Sequence, residues 1–190
     1  MKQQNYVAYG SNLNLRQMAM RCPNARLIGT GAVKDYELQF KGSPYGAFAT
    51  IGKKEGAFVP VAVWSLQPRD ERALDTYEGY PYHYYKVNLP VLMEDGSEIA
   101  ARVYIMNQRM QFGIPSQRYY DTVYEGYENC GLDVNILNQA VDDSIAMRRE
   151  KEKEQADSEE RYTWNWDQFK GGKQESIDGP DEDNPFQMHL

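Results

Sequence analysis

Glu78 is the residue of this chain best suited to acid–base chemistry. It sits in Leu74-Asp75-Thr76-Tyr77-Glu78-Gly79-Tyr80-Pro81, where the pattern predicts the last turn of a helix. A carboxylate there faces the negative end of the helix dipole, and aromatic residues crowd it. Both effects raise a carboxyl pKa toward neutrality, which suits a group that must accept a proton and return it. The same letters also fit a surface glutamate at a frayed helix end. A second candidate is Tyr9-Gly10-Ser11-Asn12. A Gly-Ser-Asn loop between strand and helix can aim consecutive backbone N–H groups into a concavity, an anion or oxyanion nest. Ordinary tight turns use the same residues.

Other chemistries lack their parts. The histidines are His83 and His189, so a Ser–His–Asp or Cys–His set would rely on His83, which lies in an aromatic loop with no evident partner. No His, Cys and Asp group has zinc or iron spacing. Neither GxxxxGK[ST] nor GxGxxG occurs, which argues against a nucleotide cradle. What remains is carboxylate acid–base work assisted by backbone donors, with neither metal nor cofactor.

Composition agrees with a pocket for a small polar molecule. There are 15 Tyr against 6 Phe and 3 Trp, and tyrosine combines an apolar body with a hydrogen-bonding tip. Residues 1–149 carry 16 Lys and Arg against 16 Asp and Glu, whereas 150–190 carry 5 against 12. The net charge of −7 therefore belongs to the C-terminal stretch. A neutral body without a clustered basic face argues against nucleic acid as a partner. No run approaches the ~20 apolar residues that cross a bilayer, and the first residues contain no apolar signal region. Cys22 and Cys130 read as free thiols in a reducing compartment, so the expected location is cytoplasmic.

The elements that must position these residues follow from periodicity and punctuation. Residues 5–9 read as a buried strand, and 14–22 as a helix capped by Asn14, with Leu15, Met18 and Cys22 on one face and Pro23 after it. Short β-like runs follow at 25–33, 36–40, 47–51 and 59–66. Residues 68–77 predict a helix with Pro in the first turn and Ala73, Leu74 and Tyr77 on its buried side. Strands at 84–93 and 98–106 flank Glu94-Asp95-Gly96-Ser97, a hairpin signal. Helices at 116–129 and 133–149 complete the body. Within the acidic extension 150–190, residues 151–160 extend that helix or fray, 171–186 reads as disordered, and 162–169 is aromatic enough to dock on the body or on another protein chain. Pattern alone predicts an α+β fold around a strongly curved or closed sheet.

Taken together, residues 6–13, 63–91, 103–107 and 115–133 resemble the γ-glutamylcyclotransferase-like (AIG2-like) family. The matching pieces are AYGSNL, the segment around LDTYEGYP, VYIMN, and PSQRYY through to GLD. They stand in family order and cover almost all of 3–148, while 150–190 lies outside the resemblance. The family implies a small mixed β-barrel of about six or seven strands flanked by helices. It also implies an enzyme that cyclises a γ-glutamyl group to 5-oxoproline, releasing an amine or amino acid without metal or cofactor. By position, Tyr6, Val7, Ala8, Tyr9, Gly10 and Ser11, with Asn12 nearby, match the loop that holds the glutamyl group. Glu78 matches the catalytic glutamate, and Tyr119, Tyr104 and Tyr84 match tyrosines at the substrate pocket.

One departure bears on specificity. After Glu-Gly-Tyr-Pro, related sequences carry an aromatic, then Tyr and Arg, whereas this chain reads Tyr82-His83-Tyr84-Tyr85. Tyr85 stands where a positive charge is expected, and the register leaves both Tyr84 and Tyr85 open as the pocket residue. Two alternatives stay open. One is a γ-glutamylamine cyclotransferase acting on γ-glutamyl-amines or γ-Glu-ε-Lys, and the other is a non-catalytic glutamyl-binding module.

Overall fold

The computed structural model describes residues 4–171, with side chains as far as Arg161. Expectations for the aromatic side chains at 162–169 and for 172–190 lie outside the described residues. Five strands form the sheet: β1 (Gln4–Ala8), β2 (Arg26–Ser43), β3 (Gly46–Leu66), β4 (Tyr84–Met93) and β5 (Glu98–Met106). Four helices accompany them: α1 (Leu15–Arg21), α2 (Pro68–Glu78), α3 (Gln117–Asn129) and α4 (Val134–Gly171). The sheet closes into a barrel in the order β1-β3-β2-β4-β5. Neighbours are antiparallel except at the seam, where β1 meets β5 in parallel at Tyr6 and Arg102. Closure removes exposed sheet edges and lets inward-facing residues form a core. Val7, Val33, Phe40, Ile51, Val63 and Val103 fill it.

The fold is the small mixed barrel with flanking helices that the sequence implied, but with five strands rather than six or seven. The four runs expected between 25 and 66 are two long strands, paired from Arg26 with Ser65 to Ser43 with Gly46. The polar residues read as turns bend the ladder without ending it. Asp35 takes a positive φ of 60° and its Oδ1 accepts from the Gly56 amide at 2.9 Å. The register shifts there, between Lys34 and Tyr36. Such a bulge increases local twist, which a strand wrapping a barrel requires.

Helix ends follow local capping chemistry. Asn14 Oδ1 accepts from the Gln17 amide at 3.0 Å, and the Ser116 hydroxyl accepts from the Tyr119 amide at 3.3 Å, each satisfying a first-turn donor. Gln67 and Asp70 form a reciprocal capping box at the start of α2. On α2 only Leu74 of the three residues expected inside is buried, while Ala73 and Tyr77 are exposed. The buried Asp70 carboxylate supplies the remaining anchor by accepting from Asn24 and Gln67. On α1, Met18 and Cys22 are buried but Leu15 is exposed. The last helix continues through 151–160, one of the two expectations for that stretch, and ends at Gly171. Residues 1–150 form one compact unit, and the described side chains at 151–161 are exposed. No helix among the described residues is long and apolar enough to cross a membrane.

Between β1 and α1 the chain makes one 3-10 turn, Ser11–Leu13. α3 packs directly on it through Gly126. A Cβ there would lie 2.7 Å from the Asn14 nitrogen and 2.7 Å from Leu13 Cβ, distances that require backbone movement. Gly126→Ala is therefore expected to destabilise the protein by about 1–3 kcal/mol through overpacking. Urea denaturation measures this, and an unchanged midpoint would refute the close approach.

Candidate active site

The mouth of the barrel holds a cavity of about 590 Å³, within the range of small-molecule sites. Its wall combines the end of β1 and the following turn (Tyr6, Tyr9, Gly10, Ser11, Asn12) with the end of α2 (Thr76 to Gly79). Tyr84, Tyr104 and Tyr119 also line it. Nine of the eleven expected site residues thus face one space, from segments more than 100 positions apart. Val7 and Ala8 do not. Their side chains are buried in the core and lie outside the lining, since a strand that turns Tyr6 toward the cavity turns Val7 away. The register also separates Tyr84, which lines the cavity, from Tyr85, which is outside the lining and partly exposed.

Glu78 is the last residue of α2, and Gly79 caps the helix with φ 62°. Its Oε1 accepts from Asn12 Nδ2 at 3.1 Å. The same Asn12 nitrogen donates to the Tyr6 hydroxyl at 2.8 Å. Burial pushes the Glu78 carboxyl from its ordinary value of 4.5 up to about 7, against the opposing pull of the Arg21 charge and the Asn12 hydrogen bond. Desolvation, which disfavours the charged form, thus outweighs two stabilising contacts. The phenols of Tyr6, Tyr9 and Tyr84 are raised well above their usual value by burial and, to a lesser degree, by the Glu78 charge. They remain neutral at physiological pH.

Most of these phenols are held by backbone. Tyr84 donates to the Ala49 carbonyl at 3.0 Å, and the Tyr119 hydroxyl accepts from the Ala49 amide at 3.2 Å. One residue of β3 therefore fixes two rings on the wall. Tyr119 also meets Phe48 edge-on, with centroids 5.0 Å apart. Tyr9 donates to the Tyr104 carbonyl. Tyr104 sends its own hydroxyl to Asp75 Oδ1 at 2.6 Å, and Lys86 pairs with the same carboxylate oxygen at 2.5 Å. The ring of Tyr104 lines the cavity while its polar tip is committed elsewhere.

Sequence reasoning missed several participants. Phe48 and Met110 line the cavity and are exposed; strand alternation marks Phe48 only once the pairing partner is known. His83 lines it as well, packed so closely over Gly79 that a Cβ there would lie 2.6 Å from the ring. Arg21, the last residue of α1, reaches Asn12 Oδ1 at 2.6 Å. Among the described residues, no group of three or more His, Cys, Asp and Glu side chains is arranged to hold a metal ion.

The raised Glu78 pKa has a consequence for stability. Below about pH 4 the carboxyl is protonated in both folded and unfolded chains and contributes no difference. As pH rises from 4.5 to about 7 the unfolded chain ionises first, so the folded state loses stability. Glu78→Gln cannot ionise and escapes that loss. Its stability relative to wild type is expected to improve by roughly 2–3 kcal/mol between about pH 4 and about pH 8. Urea unfolding at both pH values checks this, and a constant difference would show that Glu78 is not desolvated.

Comparison with known proteins agrees with this geometry. The family model described as "Gamma-glutamyl cyclotransferase, AIG2-like" matches residues 6–125. The chain is 30% identical to the Gamma-glutamylcyclotransferase of Homo sapiens over 135 residues, covering 67% of this chain and 71% of that protein. The Bos taurus protein of the same name is 30% identical over 136 residues, with the same coverage of 67% and 71%. A solved structure titled "Gamma-glutamyl cyclotransferase" superposes with a TM-score of 0.67 at 26% identity, covering 73% of this chain and 86% of that one. The turn after β1, the helix ending in Glu78 and all of the barrel but the first two residues of β1 lie within the matched region, and the chain belongs to the γ-glutamyl cyclotransferase, AIG2-like family.

Proposed function

We propose that this protein cyclises a γ-glutamyl group to 5-oxoproline and releases a free amine or amino acid, with Glu78 as the general acid–base. The reaction is intramolecular. The substrate's α-amine attacks its own γ-carbonyl, the C–N bond to the leaving amine breaks, and a five-membered lactam closes. The nucleophile is tethered, so holding the bent conformer is the first requirement, worth several kcal/mol. The α-amine begins as an ammonium. Glu78 takes one proton before the attack and gives it to the departing nitrogen as the tetrahedral intermediate collapses; the second proton shed by the ring nitrogen goes to the released amine, which leaves as an ammonium.

The observation that carries this reading is a carboxyl held at about 7 inside the cavity, one hydrogen bond from the turn at Asn12. A group with that pKa exists in both protonation states near neutrality, which maximises proton exchange. The turn at Gly10 and Ser11 is suited to hold either the α-carboxylate or the carbonyl oxyanion. The neutral phenols fit a role in orienting the glutamyl portion without competing for its charge.

The leaving group defines a second reading. Phe48 and Met110 line the cavity and are exposed, and both are apolar. This favours γ-glutamylamines alongside γ-glutamyl amino acids as substrates. A panel of γ-glutamyl amino acids, γ-glutamyl alkylamines and γ-Glu-ε-Lys, read by mass spectrometry of released 5-oxoproline, separates the two.

Glu78→Gln should bind the same ligands and lose about 10²- to 10⁴-fold in turnover, because an amide relays no proton. Wild-type turnover in that variant would remove Glu78 from the mechanism. No 5-oxoproline from any member of the panel, with ligand binding intact, would make the protein a binding module instead.

A further inference from the structure

Arg21 touches four groups around the site without lining the cavity. Its Nη1 donates to Asn12 Oδ1 at 2.6 Å and to the Ser11 hydroxyl at 3.3 Å. Its Nη2 donates to Gln17 Oε1 at 2.7 Å, one helical turn back along α1. The guanidinium carbon lies over Tyr77, 3.8 Å from the ring centroid, and Tyr77 shares a contact of 3.3 Å with the Ser11 hydroxyl. Tyr77 is next to Glu78 in sequence. Arg21 therefore ties the end of α1 to the 3-10 turn and to the last turn of α2.

The chemistry of the Asn12 amide makes this geometry consequential. A guanidinium only donates, so the atom it meets must be the amide oxygen. That leaves Nδ2 facing the other way, toward Tyr6 and Glu78, where a donor is required. Reversed, the amide would set its oxygen against the carboxylate. Asn12 Oδ1 is held by Arg21 at 2.6 Å while Nδ2 divides between Tyr6 at 2.8 Å and Glu78 at 3.1 Å. The orientation is decided on the Arg21 side.

We propose that Arg21 is a positioning residue for Glu78, acting through the Asn12 amide and through its own fixed positive charge. Its catalytic meaning rests on the cyclisation proposed above; its effect on the carboxyl does not. Arg21 is the largest influence opposing burial at Glu78. The other groups facing that carboxyl come from different elements: Tyr6 from β1, Tyr9 just after it, Tyr84 from β4, Tyr104 from β5 and Tyr119 from α3, all neutral phenols. Asp75, on α2 itself, is screened by Tyr104 and Lys86. His83 faces the same cavity, so the readout must be the Glu78 carboxyl itself.

The test is a ¹³C-carboxyl NMR titration of Glu78 in wild type, Arg21→Gln and Arg21→Lys. Removal of the charge in Arg21→Gln should move the midpoint alkaline by roughly one pH unit, the scale of losing a nearby opposite charge. Arg21→Lys keeps the charge and should stay closer to wild type. In 5-oxoproline assays the acidic limb of kcat/KM should move by the same amount, costing about tenfold on the acid side and little on the alkaline plateau. An unchanged Glu78 midpoint in Arg21→Gln overturns the proposal, as does a loss of activity equal at every pH. A wild-type measurement covers the case in which Arg21→Gln does not fold. The Arg21 guanidinium and Asn12 amide resonances should titrate with the Glu78 midpoint, and indifference of both overturns the proposal equally.

Discussion

The arrangement depends on shielding one carboxyl from bulk water without neutralising it permanently. An ionised group buried alone is expensive enough to shed its charge, and one fully paired to a cation loses its capacity to accept a proton. Glu78 stands between these limits because its contact is with an amide and the cation lies behind that amide. The balance tolerates little displacement. It requires the turn after β1 to be pinned on three sides, by Arg21 from α1, by Tyr77 from α2 and by Gly126 of α3 against Leu13. Much of the helical layer serves that one short turn.

The opposite wall is fixed more economically. Ala49 of β3 presents its amide to Tyr119 and its carbonyl to Tyr84, so the ladder that builds the barrel also orients the rings. Backbone groups are the most rigid partners available in a folded chain, and phenols bound to them lose little further freedom on meeting a ligand. Tyr104 is held differently, by an ionic cluster of Asp75, Lys86, Glu71 and Arg102 outside the cavity. That cluster also spans β5 and α2, which makes the position of the helix bearing Glu78 depend on the strand bearing Tyr104.

How far the sequence could be read depended on whether the deciding interaction was local. β4 and β5 occupy the residues their alternation indicated, and the turn between them is closed by Asp95, which accepts from Ser97. Asn14 and Ser116 cap as their side chains suggest. The region from Arg26 to Leu66 was misread because Asp35 and Gly56 carry the letters of a turn while long-range pairing keeps both strands running. Glu78, Asn12 and the pocket tyrosines came from the family resemblance, with helix-end and loop chemistry in support. Val7 and Ala8 came with the same matched segment, and strand alternation turns the side chain of Val7 away from the cavity. Arg21 was out of reach because helix periodicity gives the polar face of α1 but not what that face meets.

The seam of the barrel carries a consequence for synthesis. β1 emerges first, yet its partners are β3 and, at Tyr6, β5. The next strand in sequence, β2, does not pair with it, and closing such long loops is the slow part of building a sheet. A chain still on the ribosome before β5 is made has an unsealed Tyr6, no carbonyl for Tyr9 and no α3 to cover the turn. The cavity therefore has no half-made form, and the exposed first strand is the part of a nascent chain most in need of protection from wrong partners.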